Sequence, residues 1–121
     1  MKKRIYYDST DAGGIVYHTE YIKFCEQARS EIFFKHGIFF ENEGYVVTQL
    51  QAKYIHPARL GDIIEIKTKI VNYSKIKIDI LQEIYKEEKK LFELNVTVVY
   101  VKNSKVSKIP EKHLEILNEY S

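Results

Sequence analysis

Hydrophobic and polar residues alternate with a period of two over much of the second half of the chain. Ile64, Ile66 and Ile70 alternate with charged neighbours, as a strand with one buried face requires. Two more alternating stretches follow, and each presents its apolar residues to one side: Ile76, Ile78, Ile80 and Ile84, then Phe92, Leu94, Val96, Val98 and Tyr100. The polar links between them have hairpin length, so the pattern predicts consecutive antiparallel strands.

A helical period marks the segment that precedes these strands. Its apolar positions recur three and four residues apart, at Tyr21, Phe24, Cys25, Ala28 and Ile32, which is the spacing of one buried helix face. Thr19 can cap the start of this helix, and Gly37 is placed to end it. A helix of about 17 residues would be about 25 Å long, enough to lie across several strands.

The order of these elements predicts the fold class. A short strand over Lys3 to Tyr7 comes before the helix, and the first strand of the later group begins near Tyr45. Pro57 is expected to interrupt the sheet, because proline cannot donate to a strand ladder. We predict one α+β domain over residues 1–121, in which a curved antiparallel β-sheet of about five strands wraps a long central helix. An unburied sheet edge also predicts a dimer.

Composition excludes several classes of protein. Hydrophobic residues make up 45% of the chain and charged residues 30%, as in an ordinary globular domain. No apolar run approaches the ~20 residues needed for a membrane span, and no apolar signal segment follows the basic start, so we expect a cytoplasmic protein. The net charge of +2 is too small to predict nucleic-acid binding.

Cysteine and histidine residues give no sign of a metal site. Cys25 is the only cysteine, and its place on the apolar helix face indicates a core residue. The histidines lack the close paired spacing of zinc ligands, so we expect no metal: His18, His36, His56 and His113. Glu26 and Arg29 are three residues apart, which favours an ion pair along the helix.

The loop before the helix carries the candidate chemistry. Asp11 lies in the run Thr-Asp-Ala-Gly-Gly, a few residues ahead of the helix. A carboxylate can act as a base or nucleophile in hydrolysis, and free N–H groups of a first helical turn can polarise a carbonyl. Gly13 and Gly14 would let the backbone approach a ligand closely. Such a loop alone is typical of a turn, so its sequence context decides.

That context resembles a known family. The stretch RIYYDSTDAGGIVYHTEY from Arg4 to Tyr21, with residues 24–31 and 54–62, is similar to the signature of the 4-hydroxybenzoyl-CoA thioesterase family and of its YbgC-like branch. The resemblance implies a hot-dog fold that hydrolyses acyl-CoA thioesters at a subunit interface, in a homodimer or homotetramer. It implies no cofactor, because coenzyme A is part of the substrate, and it suggests a role in phospholipid or envelope metabolism.

Residue roles follow from the same resemblance. Asp11 matches the catalytic aspartate of the family. We expect Tyr7 and His18 to position Asp11 or to hold the attacking water. Substrate contacts are predicted for these residues, the basic ones facing the phosphates of coenzyme A: Gly13, Gly14, Val16, Tyr17, Arg59 and Lys75, with Lys53 as a further candidate.

Two other functions stay open from the sequence. A hot-dog protein that binds acyl-CoA or acyl carrier protein without hydrolysis would differ only in lacking a competent base. A dehydratase needs a histidine base opposed to a carboxylate on the long helix, and this helix offers Glu26 but no histidine before His36. Asp11 in its intact loop favours the thioesterase.

Overall fold

The computed structural model describes residues 1–121, and its largest element is an antiparallel sheet. The strands are β1 (Lys2–Arg4), β2 (Glu43–Tyr54), β3 (Ile63–Tyr73), β4 (Lys77–Lys86), β5 (Lys89–Lys102) and β6 (Lys105–Val106). The helices are α1 (His18–Phe34) and α2 (Glu111–Asn118). Within the sheet the strands run in the order β1-β3-β4-β5-β2, and β6 pairs with β5. One long helix and a curled antiparallel sheet confirm the predicted α+β class.

Strands β3, β4 and β5 form the centre of the sheet, and their burial follows the predicted alternation. The inward side chains are all buried: Ile64, Ile66, Ile70, Ile78, Ile80, Ile84, Phe92, Leu94, Val96, Val98 and Tyr100. Ile76 is the exception, since it precedes β4 and is 40% exposed. A period of two therefore identified these strands correctly and misplaced one residue at a strand end.

Helix α1 packs its predicted face on this sheet. Tyr21, Phe24 and Cys25 are among its buried residues. The helix begins at His18, so the expected cap at Thr19 is wrong: the N-cap residue is Tyr17, and its side chain makes no capping hydrogen bond. Gly37 is the predicted terminator, and it adopts a left-handed backbone (φ +79°) just after the helix ends.

The expected ion pair between Glu26 and Arg29 is also wrong. Arg29 Nη1 donates instead to Oε1 of Gln82 on β4 at 2.9 Å, and Glu26 accepts from the Ser30 hydroxyl at 3.0 Å. Gln82 has no exposed surface, and its Nε2 also donates to the carbonyl of Cys25 at 2.9 Å. A buried amide destabilises the fold unless it is hydrogen-bonded. The Gln82 amide meets this need in part by accepting a hydrogen bond from the Arg29 guanidinium.

Both ends of the chain differ from the predicted strand pattern. β1 ends at Arg4 instead of Tyr7, because Ile5 bonds to the loop before β3 (N to Asp62 O, 2.8 Å) and a 3₁₀ turn begins at Tyr7. β6 was not predicted, since it has only two residues and follows a turn in which Asn103 and Ser104 both take positive φ.

Strand β2 is an exposed edge. It pairs with β5 along one side only, and no strand of this chain pairs with its other side. Val46, Val47 and Leu50 are 50%, 42% and 44% exposed. A long edge strand with apolar side chains is a ready surface for another chain. No helix of the structure is long and apolar enough to cross a membrane.

Helix α2 is fastened to β2 and β5 by a buried histidine. His113 is only 4% exposed, and its Nδ1 lies 2.9 Å from the Tyr45 hydroxyl. Its Nε2 lies 3.4 Å from Glu43 Oε1, which also accepts from the Tyr100 hydroxyl at 3.0 Å. Burial lowers the pKa of His113 and is opposed by Glu43, while Lys112 lowers the pKa further.

We expect His113 to make stability depend on pH. Its folded-state pKa lies below the ordinary 6.5, so between these two pKa values the unfolded chain binds more protons. The neutral imidazole of His113 thus contributes to the free energy of unfolding above its pKa in the unfolded chain. This contribution is lost as the pH falls towards its lower pKa in the folded protein. Urea unfolding at about pH 7.5 and about pH 5.5 measures this loss.

The variant His113→Phe should lose that part of the pH dependence. His56→Asn is the matched control, since His56 is exposed and its side chain makes no hydrogen bond or ion pair. A pH dependence in His113→Phe equal to that of the unmodified protein would contradict the assignment.

Candidate active site

The loop ahead of α1 folds back on itself as a small hairpin. Asp11 N donates to Ile15 O at 2.9 Å, and Tyr17 N donates to Ser9 O at 3.1 Å. Thr10 and Val16 form an antiparallel bridge between these two bonds. Asp11 is thereby brought beside residue 15, three residues before the helix begins.

A second segment, residues 58–60, supports this hairpin from behind. Val16 N donates to Ala58 O at 3.1 Å, and Leu60 N donates to Gly14 O at 2.8 Å. Ala58 N in turn donates to the hydroxyl of Tyr21 on α1 at 2.8 Å. Loop, supporting segment and helix are therefore tied together by hydrogen bonds with Ala58 at the centre.

The carboxylate of Asp11 uses its two oxygens differently. Oδ1 accepts the N–H of Gly13 at 2.9 Å and the N–H of Ile15 at 3.0 Å. Oδ2 accepts no hydrogen bond within the chain, and the residue is partly exposed. One oxygen thus fixes the carboxylate, and the other is left for water or a ligand.

The two glycines of the loop meet separate requirements. Gly14 has φ +78°, a left-handed conformation that favours glycine. A Cβ at Gly13 would lie 3.4 Å from Asp11 Oδ1, against the carboxylate itself. Gly14 therefore permits the turn of the backbone, and Gly13 keeps the space beside the carboxylate free of a side chain.

The N-terminus of α1 offers hydrogen-bond donors beside this loop. The amides of His18 and Thr19 have no hydrogen-bond acceptor within the chain, as expected for a first helical turn. The hydroxyl of Tyr54 donates to the His18 carbonyl, which attaches this turn to the end of β2. The positive end of the helix dipole is therefore held in place near Asp11.

The structure does not pair Asp11 with the side chains predicted to position it. Tyr7 is 74% exposed, and neither its hydroxyl nor the His18 imidazole is hydrogen-bonded to Asp11. The His18 ring instead lies edge-on to Tyr54, with centroids 6.5 Å apart. Within one chain, the backbone amides of Gly13 and Ile15 perform the positioning.

The predicted binding residues fall into two places. Val16 is buried, and Tyr17 is 54% exposed beside the loop. Arg59 lies in the supporting segment, and Lys53 is near the end of β2 that carries Tyr54. Lys75 follows the far end of β3, more than about 30 Å away along the strand, so the chain does not bring it to Asp11.

Two tyrosines that the sequence analysis did not assign to the site hold it together. Tyr21 was interpreted as part of the apolar helix face, and it is buried, but its hydroxyl also accepts the Ala58 amide. Tyr54 contacts both Tyr21 and His18. The only signal in the sequence was the choice of tyrosine at a core position that phenylalanine or leucine would fill equally well. A buried tyrosine indicates that its hydroxyl has a hydrogen-bond partner.

Other reactive groups are not gathered at this site. Cys25 has no exposed surface, and burial raises the pKa of its thiol to about 12. No three or more histidine, cysteine, aspartate or glutamate side chains form a cluster that could hold a metal ion. The chemistry of the loop therefore centres on one carboxylate and backbone amides.

Known proteins similar to this chain share its fold and much of its sequence. The family model described as Thioesterase superfamily matches residues 13–93, and Asp11 lies just ahead of that range. A crystal structure of a protein from Aquifex aeolicus superposes with a TM-score of 0.89 at 26% identity, covering 97% of each chain. The predicted hot-dog fold is confirmed.

Two curated relatives carry names for an activity. Acyl-CoA thioesterase YbgC of Helicobacter pylori is 45% identical over 87 residues, which cover 70% of this chain and 65% of that protein. Acyl-CoA thioester hydrolase YbgC of Escherichia coli is 38% identical over 104 residues, covering 81% and 78%. The match therefore spans just under two thirds of the Helicobacter relative.

Removing the Asp11 carboxylate should loosen the loop. Asp11→Ala loses both hydrogen bonds at Oδ1, and we expect it to lower the free energy of unfolding by about 0.5–2 kcal/mol. Asp11→Asn keeps an acceptor oxygen and should cost less. Denaturant unfolding and amide exchange at Gly13 and Ile15 measure both effects. Asp8→Ala is the control, since Asp8 is exposed and makes no side-chain hydrogen bond; an equal loss there would refute the role of Oδ1.

Cys25 should not react with thiol reagents in the folded protein. Its raised pKa leaves almost no thiolate at neutral pH, and its burial blocks access. Titration with a chromogenic disulfide should therefore find one thiol only after denaturation. Rapid labelling of the native protein would show that this part of the core opens.

Proposed function

The chain belongs to the thioesterase superfamily, and we propose that it hydrolyses acyl-CoA thioesters to a carboxylic acid and coenzyme A. The observation that carries this proposal is the state of Asp11. One carboxylate oxygen is fixed by two backbone amides, the other accepts no hydrogen bond within the chain, and the loop leads directly into a helix N-terminus with unpaired donors. A hydrolytic site needs these two components.

In the proposed reaction, the thioester carbonyl oxygen accepts a hydrogen bond from the amide of His18 or Thr19. Negative charge that develops on this oxygen is stabilised by the positive end of the helix dipole. Asp11 Oδ2 either takes a proton from an attacking water or attacks the carbonyl carbon itself. The carbon–sulfur bond then breaks and coenzyme A leaves as a thiolate, a good leaving group because the pKa of such a thiol is about 8.5. If water attacks, the carboxylic acid forms directly and the proton held by Asp11 passes to the thiolate. If Asp11 attacks, a water molecule then hydrolyses the acyl-aspartyl anhydride, which releases the acid and restores the Asp11 carboxylate.

The surrounding residues have supporting roles in this proposal. Gly13 and Gly14 let the acyl group approach the backbone, and the exposed Tyr17 lines its path. Val16 is buried in the single chain, so its predicted contact with the acyl group stays a prediction. Arg59 lies on the supporting segment of the loop and is suited to the phosphates of coenzyme A, and Lys53, next to Tyr54 at the end of β2, is a further candidate. Lys75 could join a site only from a second copy of the chain.

Tyr7 and His18 keep their predicted roles in this proposal, although neither side chain is bonded to Asp11 in the single chain. Both side chains are exposed at the rim of the loop and free of hydrogen bonds to Asp11. In the proposal they orient the attacking water once substrate is bound.

The proposed active form is a homodimer, or a homotetramer made of two such dimers. The support is strand β2, whose second edge has no partner in the chain and whose apolar side chains are exposed. A copy paired there would extend the sheet and cover part of each site.

Acyl carrier protein is a second proposed acyl donor. A cytoplasmic location and a role in phospholipid or envelope metabolism stay predictions.

The dehydratase alternative has no support from the geometry. His36 lies beyond the end of α1, and its Nε2 is 3.9 Å from Glu119 on the C-terminal segment. Glu26 is engaged by Ser30. No histidine opposes that carboxylate within the chain.

The decisive test is thiol release from a panel of short, aromatic and long-chain acyl-CoAs. Asp11→Asn keeps the Oδ1 acceptor but removes the charge, so it should fold and bind ligand while kcat falls by about 100-fold or more. Asp8→Asn is the matched control and should retain full activity.

Either of two results would count against the proposal. Unchanged turnover in Asp11→Asn would remove Asp11 from the mechanism. If the unmodified protein binds acyl-CoA but releases no thiol across the panel, the non-catalytic binding module replaces the enzyme.

A further inference from the structure

A separate cavity lies between the C-terminal half of α1 and the sheet. Its volume is about 280 Å³, and eight of its twelve lining residues are hydrophobic. The lining residues come from α1, β2, β4, β5, α2 and the loop before β2, and they include Phe33, Tyr45, Ile80, Val98 and Leu117. Arg29 lies eleven residues after His18 on α1, about 16 Å along the helix axis, so this cavity is distinct from the Asp11 loop.

Arg29 places a positive charge in this apolar wall. No carboxylate lies within 4.0 Å of its guanidinium, and its one hydrogen bond is to Gln82 Oε1 at 2.9 Å. Arg29 is half-buried, and this burial lowers the pKa of its guanidinium, while the charge of Glu26 opposes the shift. Partly desolvated charges in proteins are normally paired. The guanidinium therefore has donors to spare and no carboxylate in contact with it, although the charge of Glu26 on the same helix acts on it.

The position of Arg29 is fixed in advance. Gln82 is fully buried, and its Nε2 is held by the Cys25 carbonyl at 2.9 Å and the Thr68 hydroxyl at 3.0 Å. Its Oε1 therefore points at Arg29. A guanidinium held in this way loses little freedom when it binds an anion, and its planar fork matches a carboxylate.

Glu26 is the one acidic residue that lines the cavity. It is exposed, and its Oε1 accepts from the Ser30 hydroxyl at 3.0 Å. Water screens an exposed carboxylate more than a half-buried guanidinium. Glu26 therefore weakens the attraction for an anion without cancelling it, and the two residues should have opposite effects on binding.

We propose that this cavity binds an amphipathic carboxylic acid, with the carboxylate on Arg29 and the hydrocarbon chain against the apolar wall. The cavity is near the lower end of the size range of small-molecule sites, which fits a chain of medium length. Two sources share this chemistry: a free carboxylic acid, and the far-end carboxylate of an acyl-CoA. Only the second source rests on the proposed thioesterase function.

The test is calorimetric titration of the full-length protein, in its native assembly, with octanoate and with octanol. Octanoate should bind at least tenfold more tightly than octanol, which has the same chain and no charge. Arg29→Gln should weaken octanoate binding at least tenfold, with Arg29→Lys between the two. Glu26→Gln should bind octanoate as tightly as the unmodified protein or more tightly. Lys23→Gln is the control, since Lys23 is an exposed cation on the same helix, and should bind octanoate unchanged.

A comparison of octanoyl-CoA with its ω-carboxyl counterpart distinguishes the two sources. A higher kcat/KM for the ω-carboxyl thioester that disappears in Arg29→Gln assigns the site to the substrate. Octanoate binding without that preference assigns it to a free acid. If no acyl-CoA is hydrolysed, the proposed thioesterase function fails. The titration with octanoate and octanol still shows whether the cavity binds a carboxylic acid. Equal affinity for octanoate and octanol, or octanoate binding that Arg29→Gln leaves unchanged, overturns the inference.

Discussion

The pairing between residues 14–16 and residues 58–60 is the constraint on which the candidate site depends. Neither segment belongs to a regular strand, yet backbone hydrogen bonds and an isolated bridge join them. Ala58 is fully buried and is also bound by the Tyr21 hydroxyl. Because this pairing fixes the second half of the hairpin, it also fixes Ile15 and the amide that holds Asp11. A loop rich in glycine would otherwise have no reason to hold a carboxylate in one orientation.

A second polar anchor orders the middle of the helix. Gln82 lies among isoleucines on the inner face of β4, where a bare amide would be unfavourable, and it links α1 to β3 through Cys25 and Thr68. The two anchors act at different points on one helix. The first positions the N-terminal turn against the Asp11 loop, and the second turns Arg29 towards the cavity. The apolar face of α1 between the two anchors keeps the helix in one position on the sheet, since closely packed cores do not deform easily.

The sequence allowed accurate prediction where one period dominates and failed where distant residues compete. Alternation identified β3, β4 and β5, because each has one face in the core. The pairing of Glu26 with Arg29 failed because helical spacing considers only neighbours along the helix, whereas Gln82 is 53 positions away. Likewise, the hydroxyl of Tyr21 bonds 37 positions away, and periodicity records only its apolar ring. The position of Asp11 near a helix start was predictable; the amides that hold it were not.

The exposed side of the candidate site connects the proposed catalysis with the proposed assembly. Tyr7, Tyr17 and His18 surround the Asp11 loop, yet all three are exposed in the single chain. Electrostatic stabilisation of a transition state is strongest where water is excluded, and one copy alone does not exclude it. Strand β2, which ends at Tyr54 and so at the first turn of α1, also presents an unpaired edge. A second copy bound along that edge would shield the loop from water. The proposed dimer would therefore supply the exclusion of water that the proposed chemistry requires.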